Sequence, residues 1–446
     1  MRLRFPHPLP LLVGFIALAT VMTYVLSAGQ FDRRDDPATG RKVVVAGTYH
    51  AVPQAPVTAF QAVVAIPKGL LAAGPVIFLV FLIGGAFGVV DQTGALHRGV
   101  AWMVQRLERR EMLVIPIVCL AFGTAGALDN MHEEIIPLVP VLLLLTTRLG
   151  FDNLVAAAVS VGAADVGSAF SPINPFQVGI AQKLAGLPLL SGSAFRLVFL
   201  ALALGLWIAG VSRYARATRT ARVNRTGEEQ KPLDIRDGLV LITILMTFTI
   251  FIVGVMQYGW DFDQMSALFF IMGVIVGLIG KLGVNRTADA FVEGFRSMAF
   301  AALLIGFARA IYVVAEQGQI IDTIVNGLFA PLSHFPVGVA AVGMMIAHFL
   351  VHFPVPSVTG HAVLTLPVLV PLSDLLGLHR QVTVLAYQYG GGLCNFVTPT
   401  NGGVMAILAA AGVPYGKWIR FLAPICAALF LLGVVAVGIA ILIGLS

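Results

Sequence analysis

The chain has 446 residues, of which 58% are hydrophobic and 11% charged, with a formal charge of +6. That balance lies far outside soluble globular domains and marks an integral membrane protein in a lipid bilayer. The surplus cations fall in two polar stretches, Arg98–Arg110 and Arg213–Arg236, which read as topology signals; the second has no folded module or aromatic residue beyond Tyr214, which argues against a nucleic-acid surface.

In chain order, the first apolar run is 9–29, close to the ~20 residues a spanning helix needs. Arg2 and Arg4, with small residues near Ser27 and Gly29, also fit a cleaved signal peptide. A first helix needs the same basic flank, and spanning runs follow throughout, so a helix is the reading taken. Further runs lie at 69–94, 196–212, 237–257, 264–282, 297–317 and 419–444. Segments 112–149 and 336–376 fold at GTAGALDNMHEE and HFPVPSVTGH, polar centres between apolar arms, as re-entrant hairpins would. The alternative is that each is a pair of full spans with a loop outside. Segments 154–181 and 382–410 are interrupted by Pro and Asn clusters that cannot continue an ordinary helix.

One register relates the two halves. IPLVPVLLLLTTRLG ends at Gly150 and LTLPVLVPLSDLLG at Gly377, while SPINP starts at Ser171 and TPTNG at Thr398; both offsets are 227 (377 − 150 and 398 − 171). With the N-terminus inside, the loops at 95–111, 213–236, 283–296 and 411–420 fall on the cytoplasmic side with most loop cations, at the cost of Arg33, Arg34, Arg41 and Lys42 outside. The expected division is a first repeat over 1–212, a cytoplasmic loop and linking span over 213–257, and an inverted second repeat over 258–446. The fold class is all-α: a polytopic membrane protein with an inverted repeat, two re-entrant hairpins and two broken helices. Antiparallel halves let one protein present related shapes open to either side, and paired breaks point to a transporter's binding site.

The polar set at the first break is Asp165, Ser168, Ser171, Asn174 and Gln177; at the second it is Asn395, Thr398, Thr400 and Asn401. Broken helices expose amides that hold a carboxylate and carbonyls that hold a small cation, although Ser, Thr and Asn also simply glue helices together. The hairpin centres add Asp129, Asn130, His132, Glu133 and Glu134, then His352, Ser357, Thr359 and His361. Ionisable groups at membrane depth are expensive and functional by default. Glu133, Glu134 and Asp165 are therefore candidates for ion or proton coupling, and Arg309 pairs either with a carboxylate such as Glu134 or Asp165 or with the substrate. HEEII at His132 lacks the second His of a zinc-protease motif, and His348 with His352 has no further metal ligands in sequence. Cys119, Cys394 and Cys426 lie in apolar segments and suggest neither a disulfide framework nor a metal site. Walker, dinucleotide and nucleophile-elbow motifs are missing, which leaves ATP-driven pumping and hydrolase chemistry without support.

LSAGQFDR, IPKGL, FLIGGAFGVVDQTGA, NPFQVGIAQKLAGLPLLSG, YQYGGGLCNFVTPTNGGVMA and VPYGKW together resemble the YfcC branch of the DcuC-type anaerobic C4-dicarboxylate carriers, within the ion transporter superfamily. The resemblance spans nearly the whole chain. It implies a secondary carrier of the bacterial inner membrane, a homodimer, with substrate held between hairpin tips and broken helices that move together as an elevator. It maps a Glu-Glu signature onto Glu133 and Glu134, an Asn-Pro-Phe onto Asn174, Pro175 and Phe176, and a Pro-Thr pair onto Pro399 and Thr400. The chain departs from it at Val358, Thr359, Gly360 and His361, where relatives resemble Gly-Ser-Gly-Gln. The expected function is ion-coupled transport or exchange of a small carboxylate-bearing metabolite, a C4-dicarboxylate or amino acid, with no cofactor and with Na+ or H+ as coupling ion. Cationic amino acid exchange or peptide transport is the runner-up, and a passive channel the remote alternative.

Overall fold

The computed structural model describes residues 8–37, 41–106, 111–128, 133–219, 234–258 and 260–445. Helix α1 (Pro8–Val25) leads into two small antiparallel ribbons, β1 (Gly29–Gln30) with β4 (His50–Ala51) and β2 (Arg33–Asp36) with β3 (Arg41–Val44). Next come α2 (Ala59–Ala72), α3 (Gly74–Thr93) and α4 (Ala95–Arg106). The first hairpin is α5 (Val114–Leu128), a 3-10 turn at Glu133–Leu138, and α6 (Val139–Arg148). The first broken helix is α7 (Asn153–Ala157), a π turn at Ala158–Gly162, and α8 (Ala163–Ala169); it resumes after the break with a second π turn, Pro175–Gly179, and α9 (Ile180–Leu184). Helices α10 (Ser193–Thr218) and α11 (Ile235–Tyr258) follow.

The order then recurs. It runs through α12 (Phe262–Ile279), α13 (Val284–Gln317), α14 (Ile321–Phe329), and a second hairpin of α15 (Val337–Val351) and α16 (Val358–Leu375). A second broken helix, α17 (Arg380–Asn395) and α18 (Gly402–Ala410), precedes α19 (Tyr415–Leu442). Eight helices among the described residues are long and apolar enough to cross a membrane. The chain is a polytopic all-α membrane protein, and its ribbons are a small addition.

Local chemistry sets the boundaries. A capping box between Thr58 and Gln61 opens α2, and a second between Asp261 and Gln264 opens α12, each satisfying amides that a helix start leaves orphaned. The 283–296 stretch, expected as a loop, is instead the beginning of α13. Its small and apolar positions Ala290, Phe291 and Gly294 are buried, and Gly294 lies so near α3 that an added Cβ would come within 2.6 Å of Gly85 Cα. The apolar run over 297–317 therefore begins well inside the helix. The polar 95–111 loop likewise contains a helix, α4.

Two groups of helices result. In one, α3 and α13 pack along each other, with α2 and α1 on α13 and α12 on α3. In the other, α5 lies on α8 and α15 on α17, with α10 and α19 bracing both broken helices. The groups meet where α18 lies on α13 and where the Glu133–Leu138 turn touches α3.

Candidate functional site

Each break is held by an Asn that caps the helix resuming after it. Asn174 Oδ1 accepts from the amides of Phe176 (2.9 Å) and Gln177 (3.1 Å), and Asn401 Oδ1 accepts from Val404 N (3.2 Å). Their amide groups point backwards: Asn174 Nδ2 donates to Gly126 O at the end of α5 (3.1 Å), and Asn401 Nδ2 donates to Asn395 O (3.1 Å) and Oδ1 (2.7 Å). Ser171 donates to Ala127 O (2.6 Å) and receives the Asn174 amide (2.8 Å). The end of α5, the first arm of the first hairpin, is thereby fastened to the first break. At the second, Thr398 and Thr400 share a hydroxyl hydrogen bond of 2.7 Å, and Thr400 Oγ1 donates to Phe353 O in the second hairpin's turn (2.7 Å).

Buried backbone carbonyls at a break need donors, and the protein supplies them. Gln388 Nε2 reaches Ser171 O (2.6 Å), Trp418 Nε1 reaches Phe396 O (2.9 Å), and Trp207 Nε1 reaches Ala158 O beside the π turn (3.0 Å). These carbonyls already carry hydrogen bonds that a desolvated sodium ion would have to share.

The second hairpin reaches both breaks. Thr359 Oγ1 donates to Phe176 O (3.2 Å), Tyr387 OH donates to Val358 O (2.8 Å), and Ser357 caps α16 through the Gly360 amide (3.2 Å). Three consecutive glycines of α17 permit this convergence, since successive helical residues face about 100° apart. A Cβ on Gly390 would strike Met345 O of α15, one on Gly391 would lie 3.2 Å from His361 Nδ1, and one on Gly392 would come 2.7 Å from Ala169 Cβ. Beneath lies a buried chain. His348 Nδ1 is 2.9 Å from His361 Nε2, His361 Nδ1 is 3.2 Å from His352 Nδ1, and His352 Nε2 is 3.0 Å from Asn395 Oδ1; Asn395 Nδ2 then donates to Asp165 Oδ1 at 3.0 Å.

A cavity of about 400 Å3 opens between the β2–β3 ribbon, the end of α13 and the start of α16. Its ionic lining is Arg33, Lys42 and Arg309 against Glu316 and Asp322, three cations to two anions. Asp322 is committed, receiving two bonds from Arg33 Nη2 (2.9 and 3.0 Å) and the Phe31 amide (2.9 Å). Arg309 lies over the Tyr312 ring, 4.7 Å from its centroid, and makes no ion pair with a carboxylate among the described residues. Ser357 and Gly360 line the same space, so the cavity ends at the tip of the second hairpin.

The structure thus brings Asp165, Ser171, Asn174, Asn395, Thr398, Thr400 and Asn401 to the paired breaks, with Thr359 and His361 joining from the hairpin; Ser357 and Arg309 face the cavity. Asn130, with Asp129 and His132, lies outside the described residues, and of Glu133 and Glu134 only the backbone turn is described. Sequence reasoning missed Arg196. Its guanidinium is fully buried and donates to Gln388 Oε1 (3.0 Å), Gln381 Oε1 (2.8 Å) and Ser191 O (2.8 Å), tying α10 to α17. An arginine inside the apolar run AFRLVFL was the available signal.

The family model for DcuC, C4-dicarboxylate anaerobic carrier, matches residues 5–442. The chain belongs to the DcuC family. Within it, the chain is 33% identical to "Putative basic amino acid antiporter YfcC" of Escherichia coli (strain K12), over 96% of this chain and 94% of that one. It is 30% identical to an uncharacterized protein of Haemophilus influenzae, over 88% of this chain and 80% of that one. Among solved structures it is similar to the YdaH transporter of Alcanivorax borkumensis (TM-score 0.45, 18% identity, 98% and 99% of the two chains). It is also similar to MtrF of Neisseria gonorrhoeae, described as illuminating a class of antimetabolite efflux pumps (TM-score 0.44, 16% identity, 98% and 96%). As a DcuC-family member the chain is a multi-pass membrane transporter and not an enzyme.

Proposed function

We propose that this DcuC-family transporter is an ion-coupled secondary carrier, working by symport or exchange, for a small carboxylate-bearing metabolite. The cavity carries the reading. Its ionic lining is one positive charge in excess, and Arg309, whose guanidinium lies on an aromatic face beside the hairpin tip, is placed to receive a carboxylate as an arginine fork does. The family's description as C4-dicarboxylate carriers agrees with that chemistry. Movement in this proposal is elevator-like: hairpins and broken helices shift against α3 and α13, with the halves acting as inverted repeats in the inner membrane and the N-terminus inside. A second reading, exchange of basic amino acids, is favoured by the name of the Escherichia coli relative, with Asp165 as a buried acid at the first break.

Counterflow in proteoliposomes, run against succinate, malate, aspartate, arginine and lysine, separates the two. The expected result is counterflow with the dicarboxylates, reduced at least about tenfold in Arg309→Gln, the factor that about 1.4 kcal/mol of lost pairing carries. Counterflow confined to arginine and lysine, or undiminished dicarboxylate counterflow in the variant, would overturn the proposal.

A further inference from the structure

Three buried imidazoles meet beside the second hairpin's turn, His348 from α15, His352 just past its end and His361 from α16, and their neighbours fix where each proton sits. Val404 N donates to Asn401 Oδ1, so Asn401 presents its Nδ2 to Asn395 Oδ1; Asn395 gives its own Nδ2 to the Asp165 carboxylate. Asn395 Oδ1 is therefore an acceptor, and His352 Nε2 carries a proton. With His352 neutral, its Nδ1 is bare and accepts from His361 Nδ1. His361 Nε2 is then bare and accepts from His348 Nδ1. One nitrogen remains. His348 Nε2 is a buried lone pair with no hydrogen-bond partner among the described residues.

Leaving such an acceptor unsatisfied costs about 1–3 kcal/mol, a cost that a merely structural cluster would avoid. We infer that His348, His361 and His352 form a proton-loading site, filled at His348 Nε2, which delivers the charge to His352 beside Asn395 and Asp165. The step balances within the chain. A proton taken up on His348 Nε2 releases the His348 Nδ1 proton to His361 Nε2, and the His361 Nδ1 proton passes to His352 Nδ1. His348 and His361 end neutral in the opposite tautomer, and His352 ends as imidazolium with its Nε2 proton still on Asn395. Asp165 from α8, one amide away, favours that charge when ionised.

Other groups among the described residues also face the site. Tyr387 of α17 stands edge-on to His348 (5.4 Å) and His361 (5.5 Å), with its hydroxyl committed to Val358 O. From α14, Phe329 covers His348 at 5.0 Å, and the acid of that helix, Asp322, is held by Arg33. Lys42 of β3 and Arg309 of α13 line the cavity on the other side of Gly360. The chain of bonds spans both arms of the hairpin, passes through Asn395 of the second broken helix and ends on Asp165 of the first, so loading it changes the contact that holds the hairpin to the breaks.

The inference rests on the reading of the protein as an ion-coupled carrier, and its test has an arm independent of substrate. In full-length protein, 15N NMR of the imidazoles is expected to show His348 and His361 as Nδ1-protonated neutral rings, each signal assigned by its loss in His348→Gln or His361→Gln; Nε2-protonated tautomers at both positions would overturn the assignment. In proteoliposomes, His348→Gln is expected to lose uptake driven by a pH gradient at least about tenfold while solute exchange at equal pH persists. Gradient-driven uptake undiminished in His348→Gln, or lost in Glu133→Gln but not in His348→Gln, would overturn it. If the solute exchanged is arginine and not succinate, the carboxylate reading fails, while the same His348→Gln split still supports the proton site.

Discussion

Asp152 links the two halves of the molecule through one side chain. Its Oδ1 caps α7 by accepting the Leu154 amide (2.9 Å), and its carboxylate holds Lys417 Nζ of α19 at 2.9 and 2.6 Å. Burial alone would raise this carboxyl's pKa; the hydrogen bonds from Lys417 and the Leu154 amide outweigh it and hold the group below the usual carboxylate range. A depressed carboxyl stabilises the folded state above its unfolded value, ~3.9, and that contribution disappears as pH falls through the lower folded value. Asp152→Asn keeps a capping oxygen and removes the charge. The expected loss at pH 7 is below about 1 kcal/mol, because Lys417 is 45% exposed and the pair is screened. Thermal unfolding in detergent at pH 7 and at pH 3 checks this: the gap between variant and wild type should close in acid, and an equal gap at both pH values would assign the effect to the cap. At this scale the sequence reveals which residues are chemically unusual and conceals what they touch. Arg309 and His361 stand out in apolar runs, yet the sequence does not reveal that Arg309 lies on Tyr312 or that Asp165 accepts from Asn395.

The broken helices bear the same lesson at the scale of elements. Offset matching pairs Asn174 with Asn401, and both do cap the resumed helix; it also pairs Ser168 with Asn395, yet Ser168 donates to Gln177 Oε1 (2.8 Å) while Asn395 joins the histidine chain to Asp165. Pro and Asn clusters are readable because backbone chemistry dictates them, whereas partners across the fold depend on packing that no local pattern encodes. Run length likewise reveals the lipid-crossing part of α13 and misses its amphipathic beginning. Asn401→Ala removes a cap and two bonds onto Asn395, a loss of about 2 kcal/mol from capping and buried hydrogen bonds together. It should therefore lower the melting temperature in detergent measurably before any effect on substrate is considered. A variant with wild-type melting that has lost uptake would mark Asn401 as a ligand and not a cap.

Across the whole molecule, the elevator proposal concentrates on the seam between the two helix groups. Gly402, first residue of α18, sits against α13 so closely that an added Cβ would come 2.7 Å from Ile305 Cα and 3.2 Å from Ile305 Cβ. Packed interiors transmit such a clash, since they leave no free volume into which backbone can retreat. If α18 slides along α13 during transport, Gly402→Val should obstruct the sliding more than the binding. The expected outcome is exchange slowed at least about tenfold, with the thermal shift induced by substrate preserved. Gly438→Ala in α19, where nothing lies within 4 Å, is the matched control and should exchange at the wild-type rate. Exchange at full rate in Gly402→Val would mean that this seam stays fixed during transport, and the motion would then have to arise within the hairpins, where Thr359 and Thr400 hold the second tip to the two breaks.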